Sequence, residues 1–359
     1  MDFSLTPGAI SATFGFGGGL LLGLAARLVR FCTLAAIEDA LFSRDRRRLH
    51  MWLFALGLSI IAVAILRATG SVDFSGALYQ RMDLNPLAWI VGGVMFGVGM
   101  ALCGTCAYGT LARVGGGDLR ALFGFFFIAL SAYMAVAGPL ASLRVFAIDP
   151  AGLGAAVAWR SLADLFAVQG RGALYLSLGV GGALVCWCLS DRAFRGSPRL
   201  LVGGAAVAVA IVAGWIGTGW AAQDEFEPVP VVSHSFAYPL GQTLLYLMTM
   251  TRAELGFGVA AVFGVVVGAF IGATLKGEFQ WDGADDATEM RRHIVGASLM
   301  GAGGVYAGGC TIGQGLSAAS LLMVSAPIVL ASMCFGVWLG LTYLMGGQIF
   351  GTIFQRPNR

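Results

Sequence analysis

Long apolar stretches separated by short charged links make up most of the chain. A membrane-spanning helix needs about 20 consecutive, mostly apolar residues. Stretches without any charged residue approach or exceed that length throughout the sequence: 3–26, 51–66, 84–112, 121–143, 172–190, 200–223, 255–275 and 294–355. The pattern predicts an all-α polytopic membrane protein that forms one domain over residues 1–359.

The last of these stretches is too long for a single crossing. As one helix, residues 294–355 would extend about 93 Å at 1.5 Å per residue, whereas the hydrocarbon core is about 30 Å thick. The chain is therefore expected to turn back inside the membrane or to make short apolar turns between spans. We expect roughly 9–10 membrane segments in total, some of them partial.

Composition supports the membrane assignment and adds one unusual feature. Hydrophobic residues make up 58% of the chain and charged residues 11%, against about 25% charged residues in an average soluble domain. So little charge excludes a soluble domain and a disordered chain, and a net charge of +3 provides no basic face for nucleic acid. Glycine contributes 54 residues, about twice its usual share.

The charged links predict the orientation of the chain. The links 44–50 and 191–199 are rich in arginine, which is typical of the cytoplasmic side. The links 69–86 and 221–235 hold few basic residues and are expected on the external side. The N-terminus is then external, and MDFSLTPGAI lacks the basic region of a cleavable signal peptide.

Two segments of the sequence repeat each other. Residues 89–109 and 293–313 align without a gap at an offset of 204, with eight identities in 21 positions: Ile90/Ile294, Val91/Val295, Gly92/Gly296, Gly97/Gly301, Gly99/Gly303, Gly104/Gly308, Cys106/Cys310 and Gly109/Gly313. A fainter match joins 15–23 to 256–264. Repeated halves are typical of membrane transporters, and an old duplication with only structural meaning is the alternative. We assign the first repeat to about 8–143, linking helices to 144–235 and the second repeat to 236–350.

Glycines precede one cysteine in each copy of the repeat. Gly104 comes shortly before Cys106, and Gly308 and Gly309 come directly before Cys310. Because glycine disfavours helix interiors, each copy is predicted to contain a helix that breaks in the membrane and resumes after the cysteine. Each cysteine would then lie at the positive N-terminal end of a half-helix, where unpaired N–H groups attract anions.

Two such half-helices meeting near the midplane would form a narrow constriction. Besides Cys106, Cys310 and the nearby Cys103, the predicted pathway residues here are five glycines and one glutamine: Gly104, Gly109, Gly308, Gly309, Gly313 and Gln314. The constriction would hold no carboxylate to repel an anion, and thiols are weak donors with soft sulfur atoms. This chemistry favours a sulfur- or selenium-bearing anion over a hard cation.

Cys103 leaves a second hypothesis open. With Cys106 it forms a CxxC pair, which is typical of redox-active thiols and of half a zinc site. The sequence has no second CxxC pair and no histidine cluster, so we expect no metal and no other cofactor. A membrane thiol oxidoreductase or sulfurtransferase that uses Cys103 and Cys106 is the alternative to a transporter without enzymatic activity.

A third candidate cysteine lies near the end of the first apolar segment. Cys32 follows Arg27 and Arg30 closely. Charges at the end of a span usually extend to the membrane interface. If Arg30 faced the pathway instead, it would attract an anion toward Cys32.

At these residues the chain resembles the YeeE/YedE family of membrane proteins. The resemblance rests on RFCTLAAIEDAL around Cys32, on GTCAYG around Cys106 with Arg113 further along, and on GGCTIGQGLS at 308–317, which is the most specific run. In length, repeat layout and hydropathy it covers essentially the whole chain. Thr105, where glycine is common in the family, and the additional Cys103 depart from the pattern; either would alter the substrate or add redox sensitivity.

The resemblance implies a permease of the bacterial inner membrane for thiosulfate or a related sulfur or selenium compound. It implies two inverted helical halves with re-entrant loops around a central constriction. It also implies that Cys32, Cys106 and Cys310 pass thiosulfate along by successive S–H hydrogen bonds. A small TusA-like sulfur carrier is the implied partner on the cytoplasmic side.

Overall fold

The computed structural model describes residues 6–43, 45–152, 160–224, 229–250, 255–283 and 287–346. Within these ranges the regular structure is helical, and β-pairing is limited to isolated bridges between loops. The helices are α1 (Pro7–Leu28), α2 (Thr33–Glu38), α3 (Arg47–Ala68), α4 (Leu78–Arg81), α5 (Pro86–Cys103), α6 (Ala107–Gly115), α7 (Leu119–Ala137), α8 (Pro139–Ala147), α9 (Leu162–Leu165), α10 (Arg171–Ser190), α11 (Arg192–Arg195), α12 (Pro198–Ala221), α13 (Ala237–Thr249), α14 (Phe257–Lys276), α15 (Ala287–Tyr306) and α16 (Ser325–Leu344). Two π-helical segments cover Asp39–Ser43 and Gly313–Ala318.

Eight helical stretches among the described residues are long and apolar enough to cross a membrane: Pro7–Leu28, Arg47–Ala68, Pro86–Gly115, Leu119–Ala137, Arg171–Ser190, Pro198–Ala221, Phe257–Lys276 and Ser325–Leu344. The third of these stretches contains both α5 and α6. Helix α15 is also 20 residues long, but its first turns carry charged side chains. The predicted all-α polytopic membrane fold is confirmed. Arg44 of the first basic link, residues 225–228 of a link that was predicted to be external, and the predicted second repeat beyond 346 lie outside the described residues.

Local sequence signals set the starts of several helices. Thr6 accepts a hydrogen bond from a first-turn N–H of α1 directly before Pro7, and Asn85 does the same for α5 before Pro86. Asp118 caps α7 through its carboxylate. A polar cap followed by proline is a strong helix-start signal. These caps fix the residues at which α1, α5 and α7 begin.

Glycine lets α5 and α15 cross in direct backbone contact. A Cβ atom added at Gly99 would lie 2.5 Å from the carbonyl oxygen of Gly296, and one added at Gly303 would lie 2.7 Å from that of Gly92. The contacts are reciprocal, because Gly92 aligns with Gly296 in the repeat and Gly99 aligns with Gly303. The order of the contacts also means that the helices run antiparallel.

A second glycine-rich crossing joins α1 to α14. Its successive contacts are Gly15–Phe257, Gly19–Ala261 and Gly23–Val265. Because the residue numbers rise together on both helices, α1 and α14 run parallel. The fainter sequence match between these helices therefore follows a different relation from the antiparallel crossing of α5 and α15.

Helix α1 makes its antiparallel contact with α12. The two ends of this contact are Phe14 against Gly217 and Val29 against Gly203. Helix α12 lies within the segment that was predicted to link the repeats. It packs antiparallel to α1, just as α15 packs antiparallel to α5.

Alanine substitutions on α1 test the close crossing with α14. An added Cβ at Gly19 would lie 2.3 Å from the carbonyl oxygen of Ala261, whereas nothing lies within 4 Å of one at Gly17. We expect Gly19→Ala to lower the melting temperature of the detergent-solubilised protein, because overpacking costs about 1–3 kcal/mol. Gly17→Ala should leave it unchanged or raise it, since alanine favours a helix by about 1 kcal/mol over glycine. Equal melting temperatures would contradict the crossing.

Candidate functional site

Cys106 lies where the stretch Pro86–Gly115 breaks. Helix α5 ends at Cys103, Gly104 adopts a left-handed conformation with φ 63°, and Cys106 caps the N-terminus of α6. The Gly109 N–H donates to the Cys106 Sγ over 3.4 Å, and the Cys106 side chain is fully buried. The first copy therefore has the predicted break, with its cysteine at the start of the following half-helix.

Cys310 occupies the matching place in the second copy. Gly308 and Gly309 turn the chain after α15 with φ 72° and 157°, a conformation that other residues rarely adopt. Helical bonding resumes where the Gln314 N–H donates to the Cys310 carbonyl over 2.8 Å. The Gly313 N–H donates to the Cys310 Sγ over 3.4 Å. Both cysteines thus accept from the N–H group three residues ahead.

The side chain of Gln314 holds the second break together. Its Nε2 donates to the carbonyls of Ala307 and Gly308 over 3.1 and 3.2 Å. Its Oε1 accepts from the Ser325 hydroxyl over 3.0 Å. Carbonyls that a helix leaves unpaired where it stops need such partners in an apolar surrounding. Gln314 was predicted to line the constriction, and in the structure its amide is engaged in supporting the turn.

The three candidate cysteines lie in one region, and we call Cys32, Cys106 and Cys310 the thiol row. Cys106 lies near both of the others. The rings of Phe31 and Tyr108 pack edge to face with centroids 6.5 Å apart, which joins the segment of Cys32 to α6. Cys32 begins α2 and is partly exposed. All three thiols therefore lie at the N-terminal ends of short helical segments.

The loop before α13 contributes contacts that the sequence did not predict. The Phe236 N–H donates to the Cys310 Sγ over 3.2 Å. The hydroxyls of Ser235 and Tyr79 lie against Gly313, 2.4 and 3.0 Å from the position of an added Cβ. No periodicity in this loop signals that it enters the protein. Tyr79 comes from α4, and no motif in the sequence marks Tyr79, Ser235 or Phe236 as part of the site.

Cys103 lies apart from the row. Its thiol donates to the His293 carbonyl on α15 over 3.3 Å, and its Sγ packs against Gly296. The seven cysteines, which all fall within the described ranges, are free thiols. Across those ranges no three histidine, cysteine or acidic side chains are grouped so that they would hold a metal ion.

Two arginines near Cys32 have structural partners. Arg27 donates through Nε to the Ala112 carbonyl in the last turn of α6 over 3.1 Å. The Arg30 side chain is 68% exposed and lies 3.8 Å from the Glu278 carboxylate. Arg30 therefore extends to the surface, as charges at the end of a span usually do.

Arg113 supports the first break and places a positive charge near the row. Its guanidinium donates to the Gly104 carbonyl over 2.9 Å. It also lies close enough to Cys32 for an electrostatic interaction. The corresponding support in the second break comes from an uncharged glutamine, so the two copies satisfy the same backbone requirement differently.

A cavity of about 690 Å³ opens between the ends of α3 and α10 and the residues that follow the second π-helical segment. Its charged lining comprises three arginines and one carboxylate: Arg67, Arg160, Arg171 and Asp164. Arg160 also lines a smaller cavity that reaches Gln314, and its guanidinium donates to the Gln80 carbonyl. The larger cavity is therefore net positive and adjoins the second break.

Comparisons with known proteins identify the family. The sequence model described as Sulphur transport matches residues 28–339. The thiosulfate transporter TsuA of Spirochaeta thermophila is 26% identical over 337 residues, which cover 89% of this chain and 95% of the relative. The thiosulfate transporter TsuA of Escherichia coli is 26% identical over 338 residues, covering 89% and 91%. Because the family model spans most of its length, this chain belongs to the sulphur transport family, in agreement with its YeeE/YedE-like motifs.

Proposed function

We propose that the protein takes up thiosulfate or a related sulfur-containing anion along the row of Cys310, Cys106 and Cys32. The observation that carries the proposal is the matched geometry of Cys106 and Cys310. Each lies buried at a break and accepts the N–H group three residues ahead. The names of the relatives support thiosulfate as the substrate and transport as the activity.

The thiols meet the main physical difficulty of moving an anion through a membrane. A dianion loses its hydration when it enters an apolar interior, so hydrogen-bond donors must replace that hydration. Because N–H groups donate to the sulfur atoms of Cys106 and Cys310, the S–H groups themselves stay available to donate to the substrate. Their weak, soft bonds let the anion move from one thiol to the next.

The charges along the route favour entry from the side of the arginine-lined cavity. Under the positive-inside rule, the links 44–50 and 191–199 are cytoplasmic, which makes that cavity external and leaves the N-terminus in the periplasm. The proposal includes a bacterial inner-membrane location, which the bacterial sources of the relatives support. Arg113 then attracts the anion toward Cys32 at the cytoplasmic end, where a small TusA-like sulfur carrier would receive it.

The same proposal includes two inverted halves around the constriction. The reciprocal antiparallel contacts of α5 with α15, and of α1 with α12, support it. These contacts favour a second half that begins with α12, earlier than residue 236.

Neither alternative gains support at the site. A redox pair would need Cys103 beside Cys106, but the Cys103 thiol is bonded to the His293 carbonyl. A selenium or other sulfur compound would use the same thiols, so growth tests must distinguish it.

Growth on thiosulfate as the sole sulfur source tests the route. In a bacterial strain without its own uptake systems, the intact protein should restore growth. Cys106→Ala and Cys310→Ala should each reduce thiosulfate uptake about 10- to 100-fold, since a hydrogen bond to a charged group contributes roughly 1.5–3 kcal/mol. Cys334→Ala, which alters an exposed thiol, is the matched control. Normal growth with both pathway variants would contradict the thiol mechanism. Growth of the intact protein's strain only on another sulfur compound would show that thiosulfate is not the substrate.

Cysteine labelling tests the orientation. Ser71 and Arg195 are exposed residues in links predicted on opposite sides. In intact spheroplasts, a membrane-impermeant maleimide should label the Ser71→Cys variant. It should label Arg195→Cys only after permeabilisation. The reverse pattern would place the N-terminus in the cytoplasm.

A further inference from the structure

Thr311 presents an unused hydroxyl beside the thiol row. It directly follows Cys310, its side chain is fully buried, and it lies next to the Cys106 thiol. Among the described residues no nitrogen or oxygen atom pairs with its Oγ1. Its contact is with the Cys106 sulfur, and sulfur is a weak hydrogen-bonding partner. Thr311 is therefore a buried hydroxyl beside the candidate thiols that has only a weak partner among the described residues.

Two neighbouring hydroxyls in the same region have carbonyl partners. The Thr110 hydroxyl donates to the Cys106 carbonyl over 3.1 Å, and the Ser317 hydroxyl donates to the His234 carbonyl over 2.7 Å. Threonine in a helical segment usually finds such a carbonyl. A buried hydroxyl left unpaired is unfavourable, and it calls for an explanation. A bound ligand that supplies the missing acceptor is one.

The same feature recurs at the other end of the row. Thr33 directly follows Cys32, is 6% exposed, and also has an Oγ1 without a partner among the described residues. The middle cysteine, Cys106, is followed by Ala107 and so has no hydroxyl next to it in sequence. The hydroxyl that lies beside the Cys106 thiol belongs to Thr311. A cysteine and an unpaired threonine hydroxyl therefore stand side by side at both ends of the row.

Resting on the proposed function, we propose that Thr311 and Thr33 determine specificity by donating hydrogen bonds to the oxygen atoms of the substrate. A thiosulfate-like anion has two chemically different ends, a soft terminal sulfur and a group of hard oxygens. The thiols suit the sulfur, because S–H is a weak donor. A hydroxyl forms shorter, stronger bonds to an anionic oxygen. Each cysteine and its neighbouring threonine would thus hold both ends of one substrate.

Valine substitutions separate this role from a structural one. Thr311→Val keeps the branched shape of the side chain and replaces its hydroxyl with a methyl group. It should raise the half-saturation concentration for labelled thiosulfate uptake into proteoliposomes about 10- to 100-fold. The melting temperature of the substrate-free protein should stay the same or rise, because the substitution removes only a weak contact with the Cys106 sulfur. Thr311→Ser, which restores a donor, should recover the affinity, and Thr33→Val should weaken uptake in the same way.

Ser11→Ala is the matched control, since Ser11 is another buried hydroxyl without a partner, on α1 and remote in sequence from the cysteines. It should transport like the unaltered protein. The role of Thr311 would be overturned if Thr311→Val had the half-saturation concentration of the unaltered protein. It would also be overturned if Thr311→Val lowered the melting temperature without substrate and Thr311→Ser restored it. A normal Thr33→Val would overturn that of Thr33. If the unaltered protein takes up no thiosulfate, the proposed function itself fails, and this inference fails with it.

Discussion

A helix that stops inside a membrane must find other partners for its backbone N–H and C=O groups, because lipid offers none. This requirement shapes the centre of the molecule. At the first break the Arg113 guanidinium binds the Gly104 carbonyl, and at the second the Gln314 amide binds the carbonyls of Ala307 and Gly308. On the N–H side, the sulfur atoms of Cys106 and Cys310 accept from backbone groups. The candidate substrate ligands thus also form part of the support of the breaks.

Close packing around the breaks keeps this centre apolar and fixed. Backbone contact between α5 and α15, and between α1 and α14, leaves no room even for a methyl group at several glycines. The high glycine content of the sequence therefore has two origins. A few glycines form the turns beside the cysteines, and many more lie at helix crossings that hold the two broken segments against each other. The sequence alone favours the first origin, whereas the contacts in the structure show both.

The parts of the fold that local sequence determines could be predicted. Apolar length and charged links gave the helices, and the glycines before Cys106 and Cys310 gave both breaks. Contacts between distant segments could not be predicted. Phe236 reaches Cys310 from a loop, and Ser235 and Tyr79 lie against Gly313, although no motif marks these three residues. The Thr110 hydroxyl has a carbonyl partner, whereas that of Thr311 has none among the described residues. Gln314 belongs to a specific motif. The motif alone does not show whether its side chain binds substrate or supports the turn.

Anomalous scattering from selenosulfate, a thiosulfate analogue with selenium as its terminal atom, tests the central claim most directly. In a crystal structure of the protein with this anion, we expect a selenium peak in contact with the Sγ of Cys310 or Cys106, inside the constriction. That peak should disappear in the Cys106→Ala, Cys310→Ala double variant. Selenium sites confined to the arginine-lined cavity or to the lipid-facing surface, with none at the thiols, would contradict the account.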